Sequence, residues 1–80
     1  MPKVILLYAS WCHNCPKAEK IWRDLKEEHD FEYEEVDVES EEGQKIAQEY
    51  SVMAVPTTVI DGEVAFIGIP SKDEALESIK

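Results

Sequence analysis

"YASWCHNCPKAEKIW", residues 8–22, decides the fold. It holds two cysteines three apart, Cys12 and Cys15, between an apolar run and a charged, periodic segment. The run before it, "KVILLY" (3–8), is short and continuous, the pattern of a strand buried on both faces. From His13 a helical period begins. Ala18, Ile21, Trp22 and Leu25 fall at i, i+3, i+4 and i+7 and form one apolar stripe. Lys17, Lys20, Arg23 and Lys26 mostly face away from it, and Glu19 and Arg23 make a favourable i, i+4 pair. The helix is expected to fade near His29 and Asp30. The cysteines therefore sit where a strand gives way to a helix.

Two cysteines at this spacing can close a disulfide, supply half a metal site, or pack as inert small hydrophobes. As N-cap, Cys12 would face the unpaired amides of Asn14 and Cys15. A thiolate there gains from those donors and from the positive end of the helix dipole, roughly 1.5–3 kcal/mol together. At about 1.4 kcal/mol per unit, a thiol of pKa near 8.5 would titrate around 6.5–7.5. Cys15, one turn in, should be more buried and less ionised, which suits an attacking and a resolving thiol. A structural zinc site needs four ligands. Only His13 and His29 are available to join the pair, and His13 points off the helix start. A cluster shared between two chains stays open as an alternative.

Downstream, "FEYEEVDV" (31–38) is expected to be an edge strand, with a phase break at Glu34 and Glu35 and charges that discourage pairing. Ser40 can cap a second helix whose inner face is Ile46, Ala47 and Tyr50, although Gly43 weakens its start. "TTVI" (57–60) and "EVAFI" (63–67) flank Asp61-Gly62, a strong hairpin signal. Ser71 to Glu74 is a capping box that opens a last helix with Ala75, Leu76 and Ile79 inward. The order is β-α-β-α-β-β-α, an α/β fold in one domain over residues 1–80. Its first two strands should be parallel with a right-handed crossover, and its last two antiparallel.

Composition excludes several functions. Eight basic and eighteen acidic residues leave a net charge of −10, which argues against nucleic acid and anionic membranes as partners. Ten carboxylates and no Lys or Arg fall between residues 27 and 42, read as a solvated face that favours solubility, with a docking surface for a basic partner as the alternative. No run approaches a membrane span, and "VILLYA" is too short for a signal core. A cytoplasmic location is expected, where a lone CxxC is catalytic or metal-binding more often than structural.

"AVPTTVI" (54–60) puts Pro56 just before a predicted strand, a place suited to a residue that cannot donate to the ladder. With "WCHNC" upstream, the chain resembles the thioredoxin and glutaredoxin superfamily along nearly its whole length. Trp11-Cys12-x-x-Cys15 is similar to the family's active-site motif. Val36-Asp37-Val38-Glu39 resembles the acidic end of its second strand here, and Tyr50 to Thr57 the segment that enters its cis-proline turn. Gly62-Glu63-Val64-Ala65 and Gly68, followed by Ser71-Lys72, resemble the thioredoxin tail. The resemblance implies a thioredoxin-like fold, with a four-stranded mixed sheet flanked by three helices and the Pro56 bond cis beside the disulfide. It implies that the Val55 backbone pairs with an incoming extended peptide and that Pro56 keeps water and metals from the sulfurs. Trp11, His13 and Gly68 complete the expected substrate-binding set, with Trp11 shielding the disulfide and His13 adding charge beside the thiolate when protonated.

The departures are specific. The chain lacks the extra first strand and helix of full-length thioredoxins. The glutaredoxin Gly-Gly and acidic pair is replaced by Gly68-Ile69-Pro70-Ser71. The buried aspartate of thioredoxins, six residues before the first cysteine, is Leu6, and the lysine near it is Glu35. Glu35 is thereby a candidate to relay the resolving thiol's proton.

The expected function is thiol–disulfide oxidoreduction. Cys12 acts as nucleophile and Cys15 resolves; no metal and no bound cofactor are needed. Disulfide-containing proteins are the expected substrates of a monomer, with a thioredoxin reductase-like enzyme or glutathione as electron donor. The alternatives are a metal- or iron–sulfur-binding module and a glutathione-linked glutaredoxin.

Overall fold

The computed structural model describes residues 1–80. Its elements follow the expected order: β1 (Lys3–Tyr8), α1 (Cys15–Glu28), β2 (Glu32–Asp37), α2 (Glu41–Glu49), β3 (Thr57–Ile60), β4 (Glu63–Ile67) and α3 (Lys72–Ile79). One sheet has the order β2-β1-β3-β4. β1 runs parallel to β2, with Val4 beside Tyr33 and Leu6 beside Glu35. β3 is antiparallel to both β1 and β4.

The sheet sorts its side chains by the two-residue period. Val4, Leu6 and Ile60 face α1 and α3 and share a core with Ala18, Trp22, Leu25, Phe31, Ala75 and Ile79. Trp22 anchors this side. It packs edge-on against Phe31 and stacks on Tyr33, and its Nε1–H donates to Thr58 Oγ1 at 3.2 Å. The indole is thereby buried without leaving a donor unpaired.

On the opposite face α2 packs near β2. Its start is set by a close approach. A Cβ added at Gly43 would overlap the Asp37 carbonyl oxygen and lie 2.7 Å from Asp37 C and 2.8 Å from Val38 Cα. Gly43 therefore does more than weaken the helix; it lets α2 rest on the end of β2. Ser40 caps this helix, its Oγ accepting from the Gly43 amide at 3.0 Å.

The turns behave as the sequence indicates. Asp61 and Gly62 both take positive φ, 50° and 82°. Ser71 Oγ accepts from the Glu74 amide at 3.1 Å and donates to its carboxylate at 3.0 Å. β2 shows no phase break. Phe31, Tyr33 and Glu35 keep to the α1 side, and Glu35 is accommodated there because Arg23 on α1 meets it with two hydrogen bonds of 2.6 and 2.7 Å.

Candidate active site

The site lies at the corner between β1 and α1. Ala9 is buried and its carbonyl accepts from the Cys12 amide at 3.1 Å, which turns the chain back. The helix starts at Cys15, later than the period from His13 suggests, and Asn14 is the flanking residue. Cys12 is thus one turn outside the helix and is not its N-cap. The reason is local: residues 12–14 are spent on the bend, and Pro16 is tolerated at the second helical position, where no amide is needed. The capping contact survives in part. The Cys15 amide donates to Cys12 Sγ at 3.1 Å; no such bond comes from Asn14.

Cys12 and Cys15 are joined as a disulfide with Cα atoms 5.5 Å apart. Cys15 is 1% exposed, whereas Cys12 is only half-buried. Cys12 is therefore the more accessible residue of the pair, and Cys15 is enclosed. The Cys12 sulfur occupies the place where a thiolate would sit after reduction, and there it meets an amide donor at the positive end of α1.

The other predicted residues fall into two groups. Trp11 is 64% exposed and lines a cavity of about 180 Å³ with Val38, Val52, Met53, Ala54 and Val55. Pro56 is fully buried and the Val55–Pro56 bond is cis. Its carbonyl accepts from the Gly68 amide at 2.8 Å, with Gly68 at φ 96°. The Val55 amide and carbonyl have no protein partner. His13 stands exposed at the helix start without a hydrogen bond from another side chain. Glu35, the candidate proton relay, is engaged by its neighbours. Both its oxygens bind Arg23, and Oε2 also accepts from Tyr33 at 2.8 Å.

That cluster has its own electrostatics. Partial burial by itself pushes the Glu35 carboxyl up, but hydrogen bonds from Arg23 and Tyr33 and the Arg23 charge outweigh it and hold the group below its usual range. Burial, followed by the hydrogen bond to Glu35 and its charge, drives the Tyr33 phenol well above its ordinary value. Leu6, in the place of the buried acid, is wholly enclosed. No group of three or more His, Cys, Asp or Glu is arranged to hold a metal.

Sequence reasoning missed Val52, Met53, Ala54, Val64 and Ile67, which line the apolar surface next to the site. The available signal was the place of Val52, Met53 and Ala54 in the segment that leads into Pro56.

A buried and an accessible cysteine on a helix tip, set in a β-α-β-α-β-β-α fold with a cis-proline before β3, define a thiol–disulfide oxidoreductase of thioredoxin-like fold. Residues 3–80 match the family described as the thioredoxin domain, and the chain belongs to that family. It is 37% identical over 78 residues to the thioredoxin of Methanocaldococcus jannaschii, spanning 98% of this chain and 92% of that one. A mutant thioredoxin of Halobacterium salinarum superposes with a TM-score of 0.77 at 33% identity, over 98% of this chain and 70% of that one. A Schistosoma mansoni thioredoxin pre-protein, solved in reduced form, gives 0.78 at 25% identity, over 98% and 75%. No helix is long and apolar enough to cross a membrane.

Proposed function

We propose that this chain is a monomeric cytoplasmic reductase of protein disulfides in which Cys12 attacks and Cys15 resolves. The observation that carries it is the unequal setting of the two sulfurs, one half-open and held by an amide, the other enclosed. Cys12 thiolate attacks one sulfur of the substrate disulfide. A Cys12–substrate disulfide forms, and the other substrate sulfur leaves as a thiolate that takes a proton from water. Cys15 gives up its proton and attacks Cys12 Sγ, forming the Cys12–Cys15 disulfide and releasing the second substrate thiolate. Two electrons pass from the protein's dithiol to the substrate, and no cofactor is needed.

The substrate chain pairs with the free Val55 amide and carbonyl as a short added strand, Trp11 flanks the sulfurs, and the Pro56 ring shields them. His13 is close in sequence to the nucleophile and adds positive charge near it at lower pH. Gly68 bonds to Pro56 and keeps the approach to that loop clear of a side chain. A thioredoxin reductase-like enzyme restores the dithiol. Glutathione is the alternative donor.

The test is insulin reduction with dithiothreitol or a reductase as donor. Cys12→Ser should be inactive, and Cys15→Ser should accumulate a covalent mixed disulfide that dithiothreitol releases. Activity retained in Cys12→Ser would refute the assignment.

A further inference from the structure

Trp22 is the largest side chain wholly buried in the fold, and the reaction at the cysteines makes no use of it. Three aromatic rings surround it. Phe31 and Phe66 meet it at centroid distances of 6.1 and 6.3 Å, and Tyr33 stacks on it at 6.5 Å with an interplanar angle of 29°. An indole loses one electron more easily than most side chains. A neighbouring phenol can give that electron back, and a plain benzene ring cannot. Of these three rings only Tyr33 is a phenol.

The protons are arranged in the same sense. Trp22 Nε1–H donates to the Thr58 hydroxyl at 3.2 Å. A hydroxyl is a poor base, so an oxidised indole keeps its proton there and stays a cation, its more strongly oxidising form. The Tyr33 hydroxyl donates to Glu35 Oε2 at 2.8 Å. A carboxylate is a far better base, and an oxidised phenol is a strong acid. Arg23, bonded to both Glu35 oxygens, keeps the carboxyl ionised and ready to accept. The far end is open. Tyr33 is half-buried and lines a groove of about 390 Å³ with Lys3, Lys26, Glu32 and Glu34.

We propose that Trp22, Tyr33 and Glu35 form a relay that carries an oxidising equivalent, left in the core by a radical oxidant, out to the surface of β2. The oxidant takes one electron from Trp22. One electron then passes from Tyr33 to the indole, and the phenolic proton passes to Glu35 Oε2. Trp22 is restored, and Tyr33 is left as a neutral phenoxyl radical beside a neutral carboxylic acid. A small soluble one-electron reductant entering the groove returns the electron, and Glu35 returns the proton. The relay is separate from the disulfide cycle, but it protects it. In the reduced protein Cys15 lies on the same buried stripe of α1, two turns before Trp22 and about 10 Å away along the axis. Ring contact makes Tyr33 the faster donor, so the resolving thiol is spared.

The test photoionises Trp22 with a laser pulse in a Trp11→Phe protein, where it is the single indole, with nitrate present to take up the ejected electron. Transient absorption should show the indole radical cation decaying as a phenoxyl band grows, at a rate independent of protein concentration. The rate should fall in D2O, because a proton moves with the electron. Tyr33→Phe keeps the stacked ring and should lose the phenoxyl growth. Glu35→Gln keeps an acceptor without its charge. It should slow the growth about tenfold, the rate equivalent of exchanging a charge-assisted hydrogen bond for a neutral one. A long-lived indole radical with the relay intact would overturn the proposal. So would phenoxyl growth that survives Tyr33→Phe, or an unchanged rate in Glu35→Gln. The D2O comparison needs no substitution within the relay, so it decides even where a variant does not fold: equal rates in the two solvents would overturn the coupled transfer.

Discussion

The backbone amide of Cys15 points at the sulfur of Cys12, 3.1 Å away, while the Cys15 side chain lies sealed in the fold. The same residue thus supplies a donor to the nucleophile and keeps its own sulfur from solvent. The division of labour between two chemically identical side chains follows from which end of that residue faces out.

In the reduced protein, alkylation by iodoacetamide should therefore modify Cys12 and spare Cys15 until denaturant is added. The Cys12 rate at pH 7 should keep more of its alkaline plateau than a free cysteine does, because the Cys15 amide and the positive end of α1 favour the anion. Mass spectrometry of the labelled peptide, against pH, checks both points. Equal labelling of the two would contradict them.

Replacing Gly43 by alanine should cost about 1–3 kcal/mol, since the new methyl group meets backbone atoms of Asp37 and Val38 that cannot rotate away. The urea midpoint should fall with little change in slope. On helix propensity alone, the same substitution would have stabilised α2 by about 1 kcal/mol, so the sign of the shift decides between the two effects.

Thr58→Val keeps the shape of a buried side chain and deprives Trp22 Nε1 of its acceptor. The expected loss is about 1–3 kcal/mol, the cost of an unsatisfied buried donor. Denaturant titration followed by Trp fluorescence measures it. The disulfide chemistry should be untouched.

Glu35 contributes stability that depends on pH. Its folded-state carboxyl ionises more readily than the unfolded one. The contribution is therefore complete above the ordinary glutamate range, near 4.3, and is lost as pH falls through the lower folded value. Glu35→Gln should lower Tm by a few degrees at neutral pH, and the gap to wild type should close in strong acid. Arg23 is well exposed, so high salt should narrow the gap too. Catalysis should not follow this titration, because the hydrogen bonds of Glu35 go to Arg23 and Tyr33 and not to the cysteines.

Local chemistry made most of the fold legible. Asp61-Gly62 and the caps at Ser40 and Ser71 are short-range signals, and each governs its own turn whatever the rest of the chain does. The Cys12–Cys15 pair was legible because its function depends on spacing. What sequence could not show depends on register between distant elements. Arg23 was paired with Glu19, which it meets only at 3.9 Å, because the strand that brings Glu35 to it twelve residues later is invisible to a helical wheel. Gly43 looked like a defect because its neighbour is the end of another element. The apolar surface next to the site was missed because it is defined by what no other element covers.

Burial of Cys15 also matters under oxidative stress. Peroxide that reaches this corner finds Cys12 first and leaves a sulfenic acid there. A protected thiol with its Cα 5.5 Å away stands ready to condense with it, expelling water before sulfinic acid can form. The enclosed sulfur turns what would be permanent damage into the same bridge the working cycle already opens.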